Sequence, residues 1–96
     1  MKRMILVTND DGYNSLGIRL LTQKIANYGN LTIVAPHRQM SGASVSRVSW
    51  NETVVHKHAD NVFSVDGTPA DTVSFALHGL KLKPDFVVSG INNGFN

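Results

Sequence analysis

The sequence predicts an α/β protein built on a mainly parallel sheet with a β-hairpin insertion. Three observations carry that expectation. Met4-Ile5-Leu6-Val7, Leu31-Thr32-Ile33-Val34-Ala35 and Asp85-Phe86-Val87-Val88-Ser89 are short, largely apolar runs without polar alternation. A helical periodicity separates the first two, and a strong helix-start signal precedes the third. Runs of this kind suit strands buried on both faces, and strand–helix–strand order with short connections is the pattern of a right-handed crossover.

The first strand is closed by Asn9-Asp10-Asp11-Gly12. A helix follows, with Ser15 as N-cap, Gly29 as the residue past its end, and Ile18, Leu21, Ile25 and Tyr28 as its buried stripe. The second strand is stopped by Pro36. From His37 to Ser46 the chain is polar and small, and it reads as a loop. Trp50, Val54-Val55 and Val62-Phe63-Ser64-Val65 predict short strands with a turn near Asp60-Asn61, forming a hairpin or an antiparallel edge. In Gly67-Thr68-Pro69-Ala70-Asp71, Thr68 caps, Pro69 fits the first helical position and Asp71 favours the dipole. Ala70, Val73, Leu77 and Leu80 are the expected buried stripe of that helix. Pro84 ends the connection to the last strand, and Gly90-Ile91-Asn92-Asn93-Gly94-Phe95-Asn96 follows it at once.

At 96 residues and 42% hydrophobic composition, the chain forms one small domain. A formal charge of +2, with scattered Lys and Arg, leaves no electrostatic footprint for a nucleic-acid duplex. The absence of cysteine excludes a disulfide framework and a thiolate metal site and fits a reducing compartment. The amino-terminal apolar stretch is too short for a signal peptide, and no segment approaches the roughly 20 apolar residues that span a bilayer. The expectation is a cytoplasmic protein without a membrane partner.

Ligands of open parallel sheets sit beyond the carboxyl ends of the strands. Three polar clusters fall there: Asn9-Asp10-Asp11, the loop after Ala35, and Ser89 to Asn96. Two adjacent carboxylates repel each other, and a hard divalent cation relieves the repulsion through oxygen ligands; an ordinary Asp-Asp-Gly turn is the plainer reading. Ser41-Gly42-Ala43-Ser44 offers backbone N–H groups and hydroxyls to an anion, or is simply a surface loop. The three amides of the last segment supply neutral oxygen ligands and N–H₂ donors, or tolerate a turn. The common nucleotide fingerprints are missing. His56 and His58 alternate on a presumed strand and could share a face, but only His37 lies at the sheet edge, so no His-centred metal site is expected.

Taken together and in order, the clusters resemble the SurE (survival protein E) family of metal-dependent 5′/3′-nucleotidases. The matching residues are Ile5-Leu6-Val7-Thr8-Asn9-Asp10-Asp11-Gly12, Val34-Ala35-Pro36, Arg38 with Ser41-Gly42-Ala43-Ser44, Gly67-Thr68-Pro69-Ala70-Asp71, and Val87 to Asn96. The resemblance implies a Rossmann-like fold that hydrolyses nucleoside monophosphates and related phosphomonoesters with one divalent metal. It implies Asp10, Asp11, Ser41 and Asn92 as metal ligands, an all-oxygen set suited to Mg²⁺, Mn²⁺ or Ca²⁺. Asp10 and Asp11 are the implied catalytic residues, and Asn9, Ser44, Thr68 and Asn96 the implied phosphate or substrate contacts. A dimer or tetramer is implied for the full-length protein. The chain departs from the pattern at Phe95, where the family has Pro. It also ends where further family strands follow, so residues 1–96 read as a single α/β nucleotidase domain incomplete at its C-terminus. The rival readings are a covalent aspartyl-phosphate phosphatase, which needs Asp-x-Asp, a receiver-like signalling domain, which needs an acceptor Asp on a later strand, and a non-catalytic metal- or phosphate-binding fragment.

Overall fold

The computed structural model describes residues 3–37, 46–50 and 53–91. In chain order they form β1 (Arg3–Thr8), α1 (Leu16–Ile25), β2 (Gly29–Pro36), β3 (Ser46–Trp50), β4 (Thr53–Ala59), β5 (Val62–Asp66), α2 (Pro69–Ser74) and β6 (Phe86–Ser89). A 3₁₀ turn, Ala26–Tyr28, follows α1, and a π-helical turn, Phe75–Gly79, extends α2. One six-stranded sheet runs in the order β3-β4-β5-β2-β1-β6. The pairs β5–β2, β2–β1 and β1–β6 are parallel; β3–β4 and β4–β5 are antiparallel. The expected mainly parallel sheet with a hairpin insertion is therefore what forms. The hairpin turns at Asp60-Asn61 as expected, and its second arm, β5, enters the parallel sheet beside β2 instead of forming an edge.

Strand alternation sorts the core onto two faces. Ile5, Val7 and Ala35 meet Ile18 of α1, with Leu21, Ile25, Ile33 and Val88 packed around them. On the opposite face, Leu6, Val34, Val55 and Val65 meet Phe75 and Ala76 of the α2 extension. β1 and β2 thus bury both faces, which is why their sequences carry no polar alternation.

Helix starts follow the sequence closely. The Ser15 Oγ accepts from the Ile18 N–H at 3.4 Å. Thr68 and Asp71 form a reciprocal capping box: the Asp71 N–H donates to Thr68 Oγ1 at 3.1 Å, and the Thr68 N–H donates to Asp71 Oδ2 at 2.9 Å.

Helix faces and ends differ from expectation. Tyr28 is 73% exposed, because the 3₁₀ turn takes it off the α1 stripe. Gly29 does not terminate the helix in a left-handed conformation; its backbone is extended, and it opens β2. The buried face of α2 and its extension is Thr72, Phe75 and Ala76, with Leu80 packed beside it. Ala70, Val73 and Leu77 lie on the exposed side. Positions 72, 75 and 76 keep the i, i+3, i+4 spacing but are rotated from the expected register. Ring contact between Phe75 and Phe63, at 6.0 Å, anchors that rotation.

Candidate functional site

β1 ends at Thr8, and Asn9 closes the loop that follows. Asn9 is 2% exposed. Its Oδ1 accepts from the Gly12 N–H at 3.1 Å, while its Nδ2 donates to the Gly12 carbonyl at 2.9 Å and to Ser15 Oγ at 2.8 Å. Gly12 holds φ 124°, a backbone state that a side chain disfavours. The amide of Asn9 is thus spent inside the protein, where it shapes the turn. Asp10 and Asp11 are carried on this turn, the first exposed and the second half-buried.

Two further segments leave the sheet beside it. The Tyr13 N–H donates to the Pro36 carbonyl at 3.0 Å, pinning the acidic turn to the end of β2, where the Arg38–Ser44 segment departs. Thr8 pairs in register with Ser89, and the Gly90 N–H donates to the Thr8 carbonyl at 3.0 Å. Ile91 then crosses the first turn of α1 at Gly17, where an added Cβ would collide with the Ile91 carbonyl oxygen. The three strand ends expected to gather the polar clusters therefore share one carboxyl edge. Ser41, Ser44, Asn92 and Asn96 lie outside the described residues. Thr68 stands at the start of α2, after β5; its oxygen accepts the capping bond, and its hydroxyl proton can still donate.

A second polar group occupies the α1 side of the sheet, over β4 and β5. His56 and His58 of β4 share that face with Ser64 and Asp66 of β5, and His37 joins them from the end of β2. Ser64 Oγ lies 2.8 Å from both His37 Nδ1 and His58 Nε2. His56 Nε2 lies 3.2 Å from Asp66 Oδ2. The rings stack: Tyr13 on His58 at 3.9 Å, and His37 on His56 at 4.1 Å between centroids. Burial pushes the pKa of His58 below its ordinary value, and the neighbouring His37 and His56 push it the same way. This cluster was not expected from the sequence. The alternations His56-x-His58 and Ser64-x-Asp66, facing each other across the Asp60-Asn61 turn, were the signal that could have found it.

The sequence profile described as Survival protein SurE matches residues 5–96. The chain belongs to the SurE family. Among curated relatives, 5′-nucleotidase SurE of Legionella pneumophila is 45% identical over 92 residues, covering 96% of this chain and 37% of that protein. Its counterpart from Vibrio cholerae is 44% identical over 98 residues, covering 100% and 37%. That from Geotalea daltonii is 40% identical over 93 residues, covering 96% and 38%. A solved SurE protein from Aquifex aeolicus superposes with a TM-score of 0.73 at 38% identity, covering 97% of this chain and 39% of that one. The Rossmann-like α/β fold expected from the SurE resemblance is thereby shown, as is membership of a family of enzymes. The chain spans less than two-fifths of the length of the SurE relatives it matches. Among the described residues, no helix is long and apolar enough to cross a membrane.

Proposed function

We propose that this SurE chain carries the metal-binding half of a phosphomonoesterase acting on nucleoside 5′- or 3′-monophosphates. The observation supporting this reading is the shared edge: Asp10 and Asp11 emerge where the segments leading to Ser41 and Asn92 also leave the sheet. The donors of the acidic turn are carboxylate oxygens, which fit Mg²⁺, Mn²⁺ or Ca²⁺. Asp10 and Asp11, with Ser41 and Asn92 by motif, would hold one such cation, which supplies charge compensation for the phosphate and a more acidic water.

The chain's own residues do the remainder. The Asn9-locked turn holds both carboxylates on the rim, so that either can accept a proton from the attacking water. Thr68, Ser44 and Asn96 donate to the non-bridging phosphate oxygens. The curated relatives are named 5′-nucleotidases; activity toward 3′-monophosphates and metal dependence are part of the proposal for this chain. So are a cytoplasmic setting, which the cysteine-free composition suits, and a homo-oligomeric full-length protein.

The test is a phosphate-release assay on the full-length gene product with Mn²⁺ and each class of nucleoside monophosphate. Asp10→Asn and Asp11→Asn are expected to lower kcat/KM by at least a hundredfold, and chelation to abolish turnover. Wild-type rates in either variant would sink the reading.

A further inference from the structure

The cluster over β4 and β5 has the makings of a metal site of a different kind from the acidic turn. One ligand atom from each of His37, His56 and Asp66 lies within 4.8 Å of the others. His56 Nε2 and Asp66 Oδ2, 3.2 Å apart, already stand at the separation of two ligands on one tetrahedral ion, roughly 3.3 Å for bonds of about 2.0–2.1 Å. His56 is 5% exposed and presents its Nε2 to Asp66 Oδ2 from a buried position on β4. His37 is held through Nδ1 by Ser64 Oγ, which leaves its Nε2 for a ligand. Anchoring one imidazole nitrogen to orient the other is how metal-binding histidines are commonly supported.

We infer that His37, His56 and Asp66 form a second cation site, selective for a borderline d-block ion such as Zn²⁺. Two imidazoles and one carboxylate favour such an ion, whereas the all-oxygen turn at Asp10–Asp11 favours a hard one. Three protein ligands leave one tetrahedral position open. Binding draws His37 out of its stack on His56, since parallel rings do not aim their lone pairs at one point, and fastens the end of β2 to β4 and β5.

The site is tested on the chain carrying Asp10→Asn and Asp11→Asn, stripped with chelator and titrated with ZnCl₂ by calorimetry. One equivalent of Zn²⁺ is expected to bind, with the ring signals of His37 and His56 shifting in NMR spectra. Adding His37→Asn is expected to weaken binding at least tenfold, while His78→Asn, at an exposed histidine on the π-helical turn, leaves it unchanged. His56→Asn is the stronger test of the set but removes a buried ring; His37 is only half-buried, so its variant keeps the test valid if the other misfolds. Loss of Zn²⁺ binding on removal of the two aspartates, no binding at all, or full affinity in His37→Asn would each overturn the inference. Loss on removal of the two aspartates would move the Zn²⁺ to the acidic turn, whereas the other two outcomes leave the Mn²⁺-dependent assay untouched, so failure of this site and failure of the proposed activity are distinguishable.

Discussion

Asn9 does for the acidic turn what a short strand does for a hairpin: it fixes the direction in which the next residues leave. Three hydrogen bonds converge on its buried amide. Asn9→Ala leaves the buried Gly12 N–H without its acceptor and Ser15 Oγ with only the Ile18 N–H as donor. A stability loss of about 1–3 kcal/mol is expected, read as a lower urea midpoint at unchanged m value. At this scale the sequence was legible as chemistry and less so as role. The resemblance implies Asn9 as a substrate contact, whereas its hydrogen bonds to Gly12 and Ser15 are visible only in the fold. Asp10 and Asp11 stand on the strand end where the pattern put them. The alternation of His56 and His58 is legible in the sequence, but their partners on other strands are not. Separations of 10 residues between His56 and Asp66, and 27 between His37 and Ser64, hide a cluster that strand pairing makes local.

Caps and turns were the elements most visible in the sequence, because they depend on neighbours three or four residues away. The capping box at Thr68 and Asp71 is a purely local device, and both of its bonds are formed. Thr68→Ala is expected to cost about 0.5–2 kcal/mol of stability, and Thr68→Ser to recover most of it, in the same urea measurement. Which side of a helix faces the sheet is a different matter. α2 is only six residues long, and its stripe could be drawn through Val73 and Leu77 as plausibly as through Thr72, Phe75 and Ala76. The choice was made by Phe63 and the strands beneath, which no local window contains. The same holds for β5. Its sequence reads as the arm of a hairpin, and its place beside β2 is decided by a crossover and by the Ile33–Val62 register.

Across the whole molecule, the two sides of the sheet are unequally finished. β1 and β2 are enclosed by both layers, but β6 forms an edge on which Phe86 is 52% and Val87 57% exposed. Ile5, Ile25 and Tyr28 continue that apolar surface into a recess of about 340 Å³. Unpaired strand edges with apolar side chains recruit other chains. The 96-residue chain is therefore expected to self-associate, with a sedimentation coefficient that rises with concentration. Val87→Lys is expected to hold it as a monomer; concentration-independent sedimentation of the unmodified chain would contradict this account of the edge.

The fastening of β6 also has a consequence in time. The Asp85 N–H donates to the Met4 carbonyl at 2.8 Å, and the Met4 N–H returns a bond of the same length to Asp85 Oδ2, across 81 residues of sequence. At synthesis rates of about 5–20 residues per second, Met4 is made roughly 4–16 s before its partner. In the later part of that interval the nascent β1 has β2 available on one flank and β6 still to be made on the other. The acidic turn at its tip is therefore made well before β6, the strand that closes the other flank of β1. In the order of synthesis the aspartates come first and the strand that walls them comes last.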